Sequence, residues 1–309
     1  MEKVVTVILI LSLCLMPVQI QAKSVTSGTD DNGNKWTYHT STKTLTFAGD
    51  KAISDFTLNG HDREPYWYRW SNKTEHIVIE EGITGIGSEA FAGFVKVLSV
   101  NIPYTVKKIK RNSFENNYRL REIQIPNEVI SIGDKAFAGC HGLKNLSLPS
   151  KLNYVGSFEF CKNIKSISLP DSTKDTADGM FTGCEMLTSV KLPRKLKAIK
   201  AYDFADCRKL TKLNIPVTVK VVYMSAFAGS GLKKIVLPSN VQKIRNGNDG
   251  QKVFEYIKGI GYPTKNLRVI EIHSKKVKSI QKNSFSGLSS KVVIKVPKSK
   301  KKKYTKMLR

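Results

Sequence analysis

The chain has 309 residues and a formal net charge of +26, from 51 Lys and Arg against 25 Asp and Glu. Apolar residues make up 40%, too many for a disordered chain and too few for a multi-span membrane protein. Five cysteines in this length exclude a disulfide-dense miniature scaffold.

Residues 1–22 read as a secretory signal peptide. Lys3 gives a weak positive start, Val4 to Met16 form an apolar core too short to span a bilayer, and Ala22 ends a polar exit with a small residue. The competing reading is a buried N-terminal helix. Residues 23–76 do not repeat and are expected to form an N-terminal cap. They hold two short alternating runs, Trp36-Thr37-Tyr38 and Leu45-Thr46-Phe47, arranged as a hairpin around a polar turn. The aromatic run Tyr66-Trp67-Tyr68-Arg69-Trp70 follows. Trp67 and Trp70 are candidate aromatic contacts for a sugar ring. The preferred reading makes them a plug, because the run immediately precedes the first repeat strand and an open coil end needs large rings to close it.

From residue 77 the chain repeats. A proline after an apolar pair stands at 103, 126, 149, 170, 193, 216 and 238, and a phenylalanine beside small residues stands at 91, 114, 137, 158, 181, 204 and 227. Both markers recur every 21 to 23 residues and stay in phase over about 150 residues. The residues before each Pro read L-x-x-L-x-L, as in Leu143-Leu146-Leu148 and Leu210-Leu213-Ile215. That pattern is a short strand with one buried face, ended by a Pro that cannot donate to a ladder. A second apolar pair, such as Val129-Ile132 or Leu196-Ile199, precedes each phenylalanine turn. One unit cannot bury its apolar face alone, whereas stacked units can. The expected fold is therefore an α/β-type, strand-rich solenoid. It is a curved leucine-rich repeat array of about nine units over 77–297, with a parallel sheet on the concave face and a cap at each end. An enlarged unit carries an insertion at 246–266. Residues 298–309 form a basic tail or capping helix, docked by Tyr304, Met307 and Leu308.

The unit I-x-L-P-x-x-V-x-x-I-G-x-x-A-F-x-G-C-x-x-L resembles the leucine-rich repeats of BspA-like surface proteins, and Ser131 to Cys140 matches it closely. Trp36, Leu45 and Gly49 are similar to that family's leader, and Val296-Pro297-Lys298 with Tyr304 and Leu308 to the tails of related proteins of anaerobic gut bacteria. The resemblance implies an exported bacterial protein, extracellular or associated with the cell surface. It implies binding to other proteins, host matrix components among them, or to other cells. It carries no catalytic residues and no cofactor.

The residues themselves carry little chemistry. Cys140, Cys161, Cys184 and Cys207 each stand three positions after the repeat phenylalanine and should stack about 5 Å apart. Asn117 and Ser230 occupy the same place in other units, which favours a column of small buried residues; disulfides between adjacent coils are the alternative by distance, and the C-x-x-C spacing of a metal site is absent. The histidines show no H-E-x-x-H spacing. Asp30-Asp31-Asn32-Gly33-Asn34 lacks the closing Glu of a calcium loop, since Ser41 stands at the twelfth position. It reads as a hairpin turn.

The surface carries more. The x residues of L-x-x-L-x-L point away from the core and form a polar, basic column with one acid. Arg121, Lys144, Lys165, Lys191, Lys212, Lys233 and Lys234 are the candidate ligand-binding residues. No acidic residue follows Glu271, while 13 Lys or Arg do. The sequence thus points to a non-enzymatic, exported repeat protein for protein binding or adhesion through its basic concave face. The expected partner is a protein ligand, such as a host matrix protein, or an acidic glycan. Nucleic acid is not expected and no transmembrane segment is read. The alternative is a cell-envelope structural component, held to anionic wall polymers or glycans by the basic tail.

Overall fold

The computed structural model describes residues 25–57, 64–245, 266–281, 284–285 and 290–308. The expected signal peptide and the insertion up to residue 265 lie outside the described residues.

The N-terminal hairpin forms where the alternating runs stand. Strands β1 (Val25–Thr29), β2 (Lys35–His39) and β3 (Thr44–Ala48) pair antiparallel in chain order. β3 then pairs parallel with β4 (His76–Ile79), placing Leu45 beside Ile77 and Phe47 beside Ile79. The hairpin therefore presents its apolar face to the first rung of the solenoid and closes that end. Its first turn is held by Asp30. Oδ1 accepts from the Asn32 and Asn34 amides at 3.0 and 2.8 Å, and Oδ2 from Asn34 Nδ2 and the Ser54 amide. Both carboxylate oxygens of Asp30 are thus engaged by the protein, as a structural turn requires. Among the described residues no group of three His, Cys, Asp or Glu could hold a metal ion.

Beyond β4 each repeat makes one coil with three contact columns. The first is the strand before the proline, seen at Ser99–Asn101, Glu122–Ile123, Ser166–Ser168, Ser189–Lys191, Lys234–Leu237, Val269–Ile272 and Val293–Lys295. The second is the apolar pair after the proline, which forms parallel two- and three-residue strands from Gly85–Ile86 to Ser279–Ile280. These second strands fall into one sheet of five and one of four, giving about nine coils. Each proline also starts the turn between the two. The Val129, Leu196 and Val219 amides donate to the carbonyls of Pro126, Pro193 and Pro216 at 3.0 to 3.1 Å.

The third column is the phenylalanine turn. Phe91, Phe114, Phe137, Phe158, Phe181, Phe204 and Phe227 are buried and stacked. Successive ring centres lie 5.4, 5.5, 6.2, 6.0, 5.8 and 6.3 Å apart. Burying such a ring stabilises by about 1.5–3 kcal/mol. The turn reverses sharply enough to need left-handed backbone two residues before and two after the ring. Gly93, Gly139, Gly183 and Gly229 supply it on the far side, with φ between 66° and 74°. Asn112, Lys135 and Tyr202 adopt it on the near side, with φ of 52°, 55° and 62°.

At the other end, helix α1 (Lys301–Leu308) packs by Tyr304, which is fully buried. Its hydroxyl donates to the Ser274 carbonyl at 2.9 Å and accepts from the Val277 amide at 3.1 Å. The basic ending is therefore a capping helix anchored by one tyrosine, its lysines outward. No helix among the described residues is long and apolar enough to cross a membrane.

Candidate functional site: the basic strand face

In each coil the apolar positions of L-x-x-L-x-L point into the core. Leu143 and Leu146, Ile164 and Ile167, and Leu232 and Ile235 are buried. The intervening residues have no choice but to face out. Arg121, Lys144, Lys165, Lys191, Lys212, Lys233 and Lys234 are all exposed. The pairing register puts Asn145 beside Ser166, Ser166 beside Ser189 and Ser168 beside Lys191. Small polar residues thus separate the long cations, leaving the lysine chains room to move.

Among the described residues Arg121, Lys144, Lys165, Lys191, Lys212 and Lys233 make no ion pair, whereas Lys234 does. Lys234 Nζ lies 2.8 Å from Glu271 Oε2. Lys295 approaches the other oxygen of Glu271 at 3.5 Å and His273 Nε2 lies 3.2 Å from Oε2. The hydrogen bond from Lys234 holds the Glu271 carboxyl below the usual glutamate range. Glu271 was not singled out from the sequence because the insertion separates its coil from the regular period. The in-register pattern Leu267-Ile270-Ile272 carries the signal that places it. The face is thus a column of unpaired cations with its C-terminal acid already neutralised.

The aromatic candidates divide. Trp67 is fully buried, its Nε1 donating to the Ala90 carbonyl at 2.8 Å and its ring set edge-on to Phe47 and Phe56. A ring with no exposed surface cannot stack on a sugar, so Trp67 is dropped as a candidate sugar contact and is the plug of the preferred reading. Trp70 is partly exposed, stacks on Tyr38 at 4.3 Å, and carries Lys73 Nζ 5.2 Å from its ring centre.

The cysteine ladder lies inside. Cys140, Cys161, Cys184 and Cys207 are free and buried. Each Sγ donates to the phenylalanine carbonyl of the preceding coil, at 3.0 to 3.2 Å. Burial pushes all four thiols up, Cys161 to about 12, which suppresses the thiolate a nucleophile needs. His141, beside Cys140, stacks on Tyr118 at 5.0 Å instead of engaging the thiol.

One buried acid went unmarked in the sequence. Asp203 precedes Phe204, where other coils carry Ala90, Ser113 or Ala136. Its Oδ2 accepts the Lys200 amide at 2.7 Å. Lys200 Nζ reaches the Thr176 carbonyl at 2.5 Å. At the corresponding place in other coils the amides of Gly133 and Gly156 make the inter-coil bond directly. This substitution is the seam between the five-stranded and four-stranded second sheets.

The model of the BspA type leucine rich repeat region matches residues 63–160 and 154–260, in six copies. No curated protein matches the chain. Among solved structures, a leucine-rich repeat protein from Bacteroides ovatus is similar, with 24% identity and a TM-score of 0.64. That match covers 88% of this chain and 75% of the other. The leucine rich repeat protein of T. pallidum is 21% identical, with a TM-score of 0.47, over 80% of this chain and 97% of its own. A leucine rich cell surface protein of Faecalibacterium prausnitzii is 16% identical, with a TM-score of 0.35, over 86% and 98%.

Proposed function

The chain belongs to the BspA-type leucine-rich repeat family, and from that premise we propose that it is a surface-associated, non-enzymatic module for protein binding and adhesion. Its ligand surface is the basic strand face, and its ligand is an acidic segment of another protein. The observation that carries this reading is the set of six exposed cations without ion pairs among the described residues, one on each of six consecutive coils, four of them at the same repeat position. Each exposed charge contact contributes on the order of 1 kcal/mol or less. Several in register steer association and make it sensitive to salt.

The test is binding of the protein to an array of matrix proteins, mucins and acidic glycans at low and physiological salt. It is run beside a variant with Lys144, Lys165, Lys212 and Lys233 changed to Glu. A few saturable protein hits that survive physiological salt and vanish in the variant are expected. Hits retained by the variant would move the contact elsewhere.

The second reading, an envelope component held by its basic end, is favoured by the outward lysines of α1. Deleting 298–309 would also remove the Tyr304 plug, so changing Lys301, Lys302 and Lys303 to Gln is the cleaner test. Loss of retention on cells without loss of array binding would support this reading.

A further inference from the structure

The strand column is not uniform. Ser166–Ser168 pairs with Ser189–Lys191, and Lys234–Leu237 pairs with Val269–Ile272 and through it with Val293–Lys295. Between these two sheets the rung 211–215 has no ladder partner on either side among the described residues. At this gap a groove of about 530 Å³ opens on the strand face. Leu213, Val236, Pro238 and Val217 line it with apolar surface, and Lys212 and His273 stand among its polar lining. Val217 is 55% exposed; of the corresponding residues, Asn127, Ser150, Asp171 and Arg194 after Pro126, Pro149, Pro170 and Pro193 are polar, and only Tyr104 after Pro103 is also an exposed apolar residue, away from this groove. A β-branched apolar side chain is thus held in water at the edge of an apolar groove. Lys212 lines the groove, Lys191 and Lys233 stand exposed on the preceding and following rungs, and Glu271, two residues before the lining residue His273, is occupied by Lys234 and Lys295.

We propose that this groove is the anchor point of the strand face, and that it takes a large apolar side chain carried within an extended acidic peptide segment of the partner. The proposal rests on the reading of the strand face as the protein-binding surface. The charge field selects an acidic segment but not its position along the column. A desolvated apolar side chain in a groove fixes that position, as interface anchors do.

The experiment compares two fluorescent 12-residue probes of equal charge binding to the full chain, one alternating Glu with Phe and one alternating Glu with Ser. The protein should bind the Phe probe at least tenfold more tightly. Val217→Asp, at an exposed position that leaves the fold intact, should abolish that preference. Equal binding of the two probes by the unaltered protein would overturn the proposal, as would a preference that survives Val217→Asp. Reversal of Lys144 and Lys165 to Glu separates the two claims. If it weakens both probes while Val217→Asp leaves the preference, the groove fails and the face stands. If it does nothing while Val217→Asp abolishes the preference, the groove stands and the face fails. Binding of neither probe would overturn both.

Discussion

The phenylalanine turns and the strand face arise from one period, yet the two regions tolerate different things. Along the turn column the same ring recurs in seven coils with centres 5.4 to 6.3 Å apart. Most of the residues beside it fit a left-handed turn or a small buried site, Met180 and Asp203 being the exceptions. Along the strand face the outward positions hold Arg, Lys, Thr, Ser, Asn, Gln and Glu in no fixed order. A position that packs against its own copy above and below has little freedom. A position facing water can change without loss of fold. Stability therefore resides in the turn column, and the recognition we propose in the strand face.

Breaking the turn column should have the largest effect. Phe181→Ala removes a ring stacked on both Phe158 and Phe204 and should cost about 3–5 kcal/mol, read as a lowered denaturant midpoint. The fourfold Lys-to-Glu variant should lose partner binding while each site changes stability by about 0.5 kcal/mol or less. A large drop in melting temperature for that variant would erase the division between the two regions.

A smaller effect should appear at the seam. Burial raises Asp203 to about 8, against two backbone amides and Lys200 that favour the charged form. The folded state then holds this proton more tightly than the unfolded chain, so this group makes stability fall as the pH rises from about 4 to about 8. Asp203→Asn should flatten that decline in urea titrations at pH 5 and pH 8. An unchanged slope would assign it to other groups. The smallest effect is expected at Lys135, exposed and left-handed with φ 55°, whose ion pair with Glu159 at 3.5 Å is a surface one. Lys135→Gly should raise stability by about 0.5 kcal/mol, measurable by thermal unfolding.

Most of this architecture was legible because repetition makes a pattern visible that one unit would hide. Two markers in phase, Pro103 to Pro238 and Phe91 to Phe227, gave the coil length, the inward faces and hence the outward cations. Tyr304 was legible as the apolar residue of a basic ending. Other features were not. Val25–Thr29 has no apolar alternation and becomes a strand only because β2 offers it an edge. Trp67 and Trp70 look equivalent in sequence, and only packing encloses the first and leaves the second partly open. The gap at 211–215 and its groove depend on how neighbouring rungs pair, which no residue pattern records. Asp203 was the exception that could have been read, as the lone acid at a position held by Ala, Ser or Met before the other six phenylalanines of the stack.

The most direct test of the central claim is hydrogen–deuterium exchange of the full chain, free and bound to an acid-rich partner that survives physiological salt. Protection should appear along the strand rungs 144–147, 165–168, 188–191, 211–214 and 233–236 and leave the phenylalanine turns and α1 unchanged. Protection confined to 298–308, or to the turns, would contradict the assignment of recognition to the strand face.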